Sequence, residues 1–216
     1  MKTISVKVVG SLFLIASAMI AGCNKDDTTA PVITLKGSAS MTIYTGDAFA
    51  DPGATAEDDE DGDLTSKVTV SGSVNTNQAG EYTLKYSVSD QAGNSAEETR
   101  TVTVKHKNTT VAGNYSVTES CNFGSVGPYV ATVTAGTSNT VDITFGNFGN
   151  YTTTINVPAT ISGTTGQTIT LTSGTYAGLT ISGSGTINAA GSVMTISYSS
   201  TNGSSTDNCT ATWTKQ

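Results

Sequence analysis

From Pro31 to the C terminus the chain is a succession of short Val/Ile/Thr/Tyr runs, each closed by Gly, Asn, Asp or Ser. Beyond the N-terminal apolar run, no stretch sustains a helical period. Period-two alternation builds strands with one packed face, and turn formers recurring at short intervals limit every element to strand length. The chain is therefore expected to be all-β. Its clearest strand is 81–89, where Tyr82, Leu84, Tyr86 and Val88 alternate with Glu81, Thr83 and Lys85, a packed face against a wet one. Residues 32–35, 41–44 and 67–72 read as earlier strands, 90–94 as a turn and 98–104 as the returning strand. This spacing predicts a β-sandwich of about seven strands over 31–105.

The N terminus has its own signature. Met1, Lys2 and Lys7 precede an apolar run from Val8 to Ala21. A membrane-spanning helix needs about 20 apolar residues, so the run fits the core of a secretory signal better. Ile20-Ala21-Gly22-Cys23 resembles the lipobox of bacterial lipoproteins. The resemblance implies cleavage before Cys23, so that 1–22 is a signal peptide, and a diacylglyceryl group on the Cys23 thiol. Two or three acyl chains anchor firmly, where one is marginal. Residues 23–30 then form a tether. Within it, Asn24-Lys25-Asp26-Asp27 resembles the acidic export signal of Bacteroidetes-type surface lipoproteins, which implies the outer face of the outer membrane; the alternative is a periplasmic tether. Loss of 1–22 leaves eight basic against 17 acidic side chains, a balance of −9. Such a surface repels nucleic acid and anionic head groups. The roughly 190 remaining residues suit two small domains.

In the first domain, several motifs occur in order: Pro31-Val-Ile-Thr-Leu, Asp51-Pro52-Gly53-Ala54-Thr55-Ala56, Asp61-Gly62-Asp63-Leu64-Thr65, Tyr86-Ser-Val-Ser-Asp90, Ala92-Gly93-Asn94 and Arg100-Thr-Val-Thr-Val104. Together they resemble the immunoglobulin-like domain of bacterial surface proteins, found also in some pesticidal crystal proteins. The resemblance implies an immunoglobulin-like sandwich serving as a spacer or binding module. Between Glu57 and Asp63 lie six carboxylates. Asp58, Asp59, Asp61 and Asp63, with Asp90, could hold a weakly bound calcium ion, which takes six to eight oxygens. The spacing is not that of an EF-hand, and acidic residues also end strands and form Asx turns without metal.

Residues 106–110 read as a linker, after which composition changes. From Asn108 on, the charged side chains are Glu119, Asp142, Asp207 and Lys215 alone, in a background of Thr, Ser, Gly and Asn. Strands are expected at 114–121, 129–135, 140–145, 151–157, 168–173, 179–188, 193–199 and 209–215, forming an antiparallel meander and a barrel-like domain over 111–216. With Cys23 lipidated, Cys121 and Cys209 remain. Cys121 ends the first strand and Cys209 starts the last, so antiparallel neighbours would bring them together in a disulfide and close the sheet. Tyr115 and Val117 share the face of Cys121, and Ala211 and Trp213 that of Cys209. This half also resembles the C-terminal β domains of Bacteroidetes lipoproteins, through Gly113-Asn-Tyr115, the cysteine pair, Asn147-Phe148 and Gly183-Ser-Gly185. It implies a small lipocalin-like barrel.

His106 is the only histidine, which rules out a multi-histidine zinc site or a Ser-His-Asp triad built in the barrel. No carboxylate pair is placed for glycosidase chemistry. The expected function is thus non-catalytic recognition at the cell surface, of a glycan or a surface protein, without a cofactor beyond the weak calcium. Phe148, Tyr151 or Tyr176 could give a stacking platform, or simply pack. The alternative is a structural accessory subunit that extends a partner from the outer membrane.

Overall fold

The computed structural model describes residues 26–138 and 140–216, so the lipobox and Cys23 lie outside the described residues. The first part comprises β1 (Val32–Leu35), β2 (Ser40–Tyr44), β3 (Ala54–Asp58), β4 (Gly62–Asp63), β5 (Thr69–Ser71), β6 (Gly80–Ser89) and β7 (Ser95–Lys105). They form two sheets, β1-β3-β4 and β2-β7-β6-β5. On β6, Leu84, Tyr86 and Val88 are buried while Glu81, Thr83 and Lys85 are exposed, as the alternation requires. Those three meet Ile33, Ala56 and Leu64 of the facing layer in one core. The short strand β3 was not evident in sequence, because Ala54-Thr-Ala-Glu-Asp has little β propensity of its own. Antiparallel pairing with β1, from Val32↔Glu57 to Leu35↔Ala54, makes it a strand.

The motif residues Asp51, Tyr86 and Arg100 meet at one point. Arg100 is fully buried. It pairs with Asp51 and donates to the carbonyls of Ser38 (3.1 Å), Lys36 (2.5 Å) and Gly53 (3.3 Å). The Tyr86 hydroxyl donates to Asp51 Oδ1 at 2.6 Å, and the guanidinium lies 5.5 Å from the centre of the Tyr86 ring. One side chain thereby joins β7 to the loops on either side of β2.

The joining segment is packed rather than solvated. His106 is buried, with Nε2 2.9 Å from the Asn188 carbonyl, and its amide donates to Thr165. Asn108, in a single helical turn Asn108–Val111, donates its side-chain amide to Gly136 and Asp142. Lys107 pairs with Asp47 at 2.7 Å, and Thr45 and Thr110 share a hydroxyl bond.

The second part comprises β8 (Gly113–Cys121), β9 (Gly124–Ala135), β10 (Asp142–Gly146), β11 (Val157–Ser162), β12 (Thr168–Leu171), β13 (Gly174–Tyr176), β14 (Leu179–Ile187), β15 (Val193–Thr201) and β16 (Thr206–Lys215). Consecutive strands pair antiparallel, except that β12 and β13 both pair with β14 and share one place in the ring. β16 pairs with β8, closing an eight-stranded antiparallel barrel. Cys209 stands directly opposite Cys121 in that register, and the two form a disulfide. Inside, Trp213 lies edge-on to Phe145 at 4.8 Å and Tyr115 at 6.2 Å, and Phe148 packs on Tyr198 at 4.6 Å. Side chains fill the interior, as a barrel of this size allows.

One expected strand is displaced. Residues 151–156 are irregular, and the strand begins at Val157. Asn147 and Asn150 adopt positive φ, and Phe148 and Ile155, linked by an amide–carbonyl bond of 3.0 Å, both turn into the core. The run of Thr152, Thr153 and Thr154 looks like strand because threonine favours it, yet it remains exposed. Two apolar side chains, Phe148 and Ile155, are buried in place of further ladder pairing.

Candidate functional sites

Among the described residues, the barrel interior holds one buried carboxyl. Glu119 is 5% exposed and receives the Tyr129 hydroxyl on Oε1 at 2.7 Å. Tyr129 in turn accepts the Gly149 amide, while Tyr151 donates to Ser200 Oγ at 2.9 Å. Burial pushes the Glu119 carboxyl above its ordinary value; hydrogen bonds from Tyr129 and Tyr198 oppose this, and the nearby charge of Asp207 adds to it. Burial also raises the hydroxyls of Tyr129 and Tyr198, with the charge of Glu119 as the next cause. The group is a structural polar network around one acid, closed over by aromatic rings. Its position was legible: period two from Tyr115 and Val117 puts Glu119 on the inward face with Cys121.

Phe148 is fully buried between Phe145, Tyr198 and Trp213, so it cannot stack on a ligand. This corrects its assignment as a ligand platform. Tyr151 and Tyr176 are half-buried against the same core, and Tyr176 spends its hydroxyl on the Thr172 carbonyl at 2.6 Å. Among the described residues the exposed aromatic is Phe123, at 75% exposure in the β8–β9 turn. An apolar residue in the tight Cys121-Asn-Phe-Gly turn, where polar residues are the norm, was the signal for it.

Beside that turn the outer wall carries a shallow groove of about 570 Å³ across β14, β15, β16 and β8. Ser120, Ser182, Ser184, Ser197, Asn208 and Thr210 line it with outward hydroxyl and amide groups, and no charged side chain lines it. Gly183 lies in its floor. A Cβ there would stand 2.4 Å from the Ser197 carbonyl oxygen, so β14 and β15 can approach this closely only with glycine. This accounts for the glycine at 183 in the Gly183-Ser-Gly185 sequence.

A second cluster lies at the end of the sandwich. Asp27, Asp58 and Asp90 each bring one carboxylate oxygen within 4.8 Å of the others. The structure does not bring Asp59, Asp61 or Asp63 into this group. Asp59 is exposed, Asp61 accepts the Gln91 amide at 2.5 Å, and Asp63 accepts the Thr65 amide at 2.8 Å. Asp27, on the segment before β1, was missed, since sequence distance gives no sign that it reaches the two turns. A third group of close ligand atoms, Cys121, Cys209 and Asp207, holds no metal-binding thiolate, because its sulfurs are bonded to one another.

Residues 33–104 match the family described as bacterial surface protein, Ig-like domain. No curated protein matches the chain. Among solved structures, a lipoprotein from Bacteroides thetaiotaomicron is similar over 86% of this chain and 100% of its own length, at 19% identity and a TM-score of 0.36. The CBM51-2 domain in complex with GlcNAc and INT domains of Clostridium perfringens ZmpB align over 85% of this chain and 43% of theirs, at 21% identity and a TM-score of 0.30. The M60 catalytic domain of the same protein with CBM51-1 and CBM51-2 aligns over 87% of this chain and 23% of its own, at 19% identity and a TM-score of 0.30. Likenesses this distant carry nothing about ligands. The chain thus has an Ig-like domain at 33–104, similar to that of bacterial surface proteins, followed by an eight-stranded antiparallel barrel.

Proposed function

We propose that this chain is a lipid-anchored, surface-displayed, non-catalytic recognition protein whose lipocalin-like barrel binds a neutral glycan on its outer wall. The observation that carries this reading is the uncharged hydroxyl and amide groove beside the exposed Phe123. Sugar hydroxyls can exchange water for such groups at small cost, whereas a charged lining would have to be desolvated. An exposed aromatic ring adds an apolar face for the sugar ring. The Ig-like domain stands between the expected anchor and this surface and serves as a spacer.

Glycan-array binding by the purified full chain tests the reading. Phe123→Ala should weaken binding of a neutral glycan roughly three- to tenfold, as loss of one aromatic contact implies. Ser197→Tyr should fill the groove and abolish binding while leaving the melting temperature unchanged, because Ser197 faces outward. Absence of glycan binding, with co-purification of an outer-membrane protein, would put the accessory-subunit reading in its place.

Anchoring rests on Ile20-Ala21-Gly22-Cys23. In a producing cell, Cys23→Ala should leave the precursor uncleaved and unlabelled by a fatty-acid analogue. Normal processing of that variant would remove the lipoprotein reading and with it the outer-membrane location.

A further inference from the structure

We propose that Asp27, Asp58 and Asp90 form a calcium site that ties the segment ahead of β1 to two turns of the sandwich. Three elements that are distant in sequence converge here: the segment before β1, the β3–β4 turn and the β6–β7 turn. Asp58 and Asp90 are only 9% and 7% exposed. Asp90 is heavily satisfied, with Oδ1 accepting the Gly93 and Asn94 amides and Oδ2 accepting Asn94 Nδ2 at 2.8 Å. Asp58 Oδ1 accepts the amides of Glu60 (3.0 Å) and Asp61 (2.9 Å). Asp58 Oδ2 is buried and has no hydrogen-bond partner.

A buried carboxylate oxygen without a donor is costly, and buried charges are as a rule paired or bound to metal. No basic side chain fills that role among the described residues, whose ion pairs are Lys85–Glu97, Arg100–Asp51 and Lys107–Asp47. The Asn94 amide that supports Asp90 also donates to the Asp27 carbonyl at 3.2 Å, so the segment is already held in place for the ion. The donors are all hard oxygens, which suit calcium or magnesium over zinc. Magnesium demands near-ideal octahedral geometry and gives up its waters reluctantly, so three carboxylates drawn from separate elements suit calcium better. Water and backbone carbonyls complete its shell. The site is independent of the glycan reading.

The full chain, purified in detergent and stripped of divalent ions, is titrated with calcium chloride by calorimetry and thermal melting. One site is expected, with a dissociation constant of about 10⁻⁴–10⁻³ M, as in extracellular modules. The melting temperature should rise with calcium concentration by mass action. Asp27→Asn and Asp58→Asn should each weaken binding at least tenfold, and Asp59→Asn should change it less than twofold. Asp27 lies outside the sandwich core, so its variant reports on binding even if Asp58→Asn folds poorly. Calcium should also slow tryptic cleavage after Lys25. Magnesium should bind at least tenfold more weakly. The proposal is overturned by absence of heat and of any melting shift at ten-millimolar calcium. It is equally overturned if Asp59→Asn weakens binding as much as Asp27→Asn, since that would show diffuse attraction. Equal affinity for magnesium overturns the choice of ion, and unchanged tryptic cleavage overturns the tie.

Discussion

Replacing Cys121 and Cys209 together by alanine is expected to lower the stability of the barrel by about 4–5 kcal/mol on the chain-entropy model of cross-links. The cysteines are 88 residues apart and sit opposite each other on β8 and β16, the pair of strands that closes the ring. In the unfolded chain the bond holds together the two ends of nearly the whole domain. Its removal frees that loop while leaving the β8–β16 ladder intact from Thr210↔Ser120 to Lys215↔Tyr115. The loss should therefore be one of stability, not of fold. Trp213 is the single tryptophan and is fully buried in the barrel, so its fluorescence reports unfolding of this part alone. A urea midpoint followed by Trp213 that does not move in the variant, or on reduction of the wild-type protein, would contradict the expectation.

Asp51→Ala is expected to destabilise the Ig-like part by about 3–5 kcal/mol, the usual cost of breaking a buried ion pair from one side. Arg100 has no exposed side-chain surface, whereas the Asp51 side chain keeps 25%. The variant leaves a guanidinium in the interior facing carbonyls and the Tyr86 ring. Asp51→Ala/Arg100→Met, which removes both charges, should recover much of the loss. A double variant as unstable as the single would show that packing, not the stranded charge, sets the cost. Burial pushes the Asp51 carboxyl up, but hydrogen bonds from Tyr86 and the Gly53 amide, with the charge of Arg100, hold it below the ordinary value of 3.8. Burial, then the bond to Asp51, likewise lifts the Tyr86 hydroxyl to about 12. A depressed folded value means that the stabilisation from Asp51 is fully present above 3.8 and disappears as pH falls through the lower folded value. Circular dichroism should therefore show the wild-type Ig-like transition losing stability below about pH 4, with a weaker dependence in Asp51→Ala. Trp213 fluorescence should barely respond to this substitution.

The sequence by itself determined the class of the fold and the position of most of its strands. Alternation is a local property, and along β6 and β14–β16 each residue's face follows from its neighbours alone. The order of the two parts and the pairing of Cys121 with Cys209 were also legible, because a meander leaves its first and last strands as the pair that must close it. Tertiary structure decided what alternation could not. Threonine-rich 151–156 has a strand's pattern but yields to the burial of Phe148 and Ile155, whose gain depends on a barrel end that exists only once the ring has closed. Phe148 and Phe123 are both phenylalanines in Asn/Gly-rich turns, yet one is fully buried and the other 75% exposed, because only the first meets the rings of Phe145, Tyr198 and Trp213. The acidic cluster follows the same logic. Density along the chain pointed to Asp58, Asp59, Asp61 and Asp63 with Asp90, but charges gather by distance through space, and folding joins Asp27 to Asp58 and Asp90 while leaving Asp59, Asp61 and Asp63 outside the group.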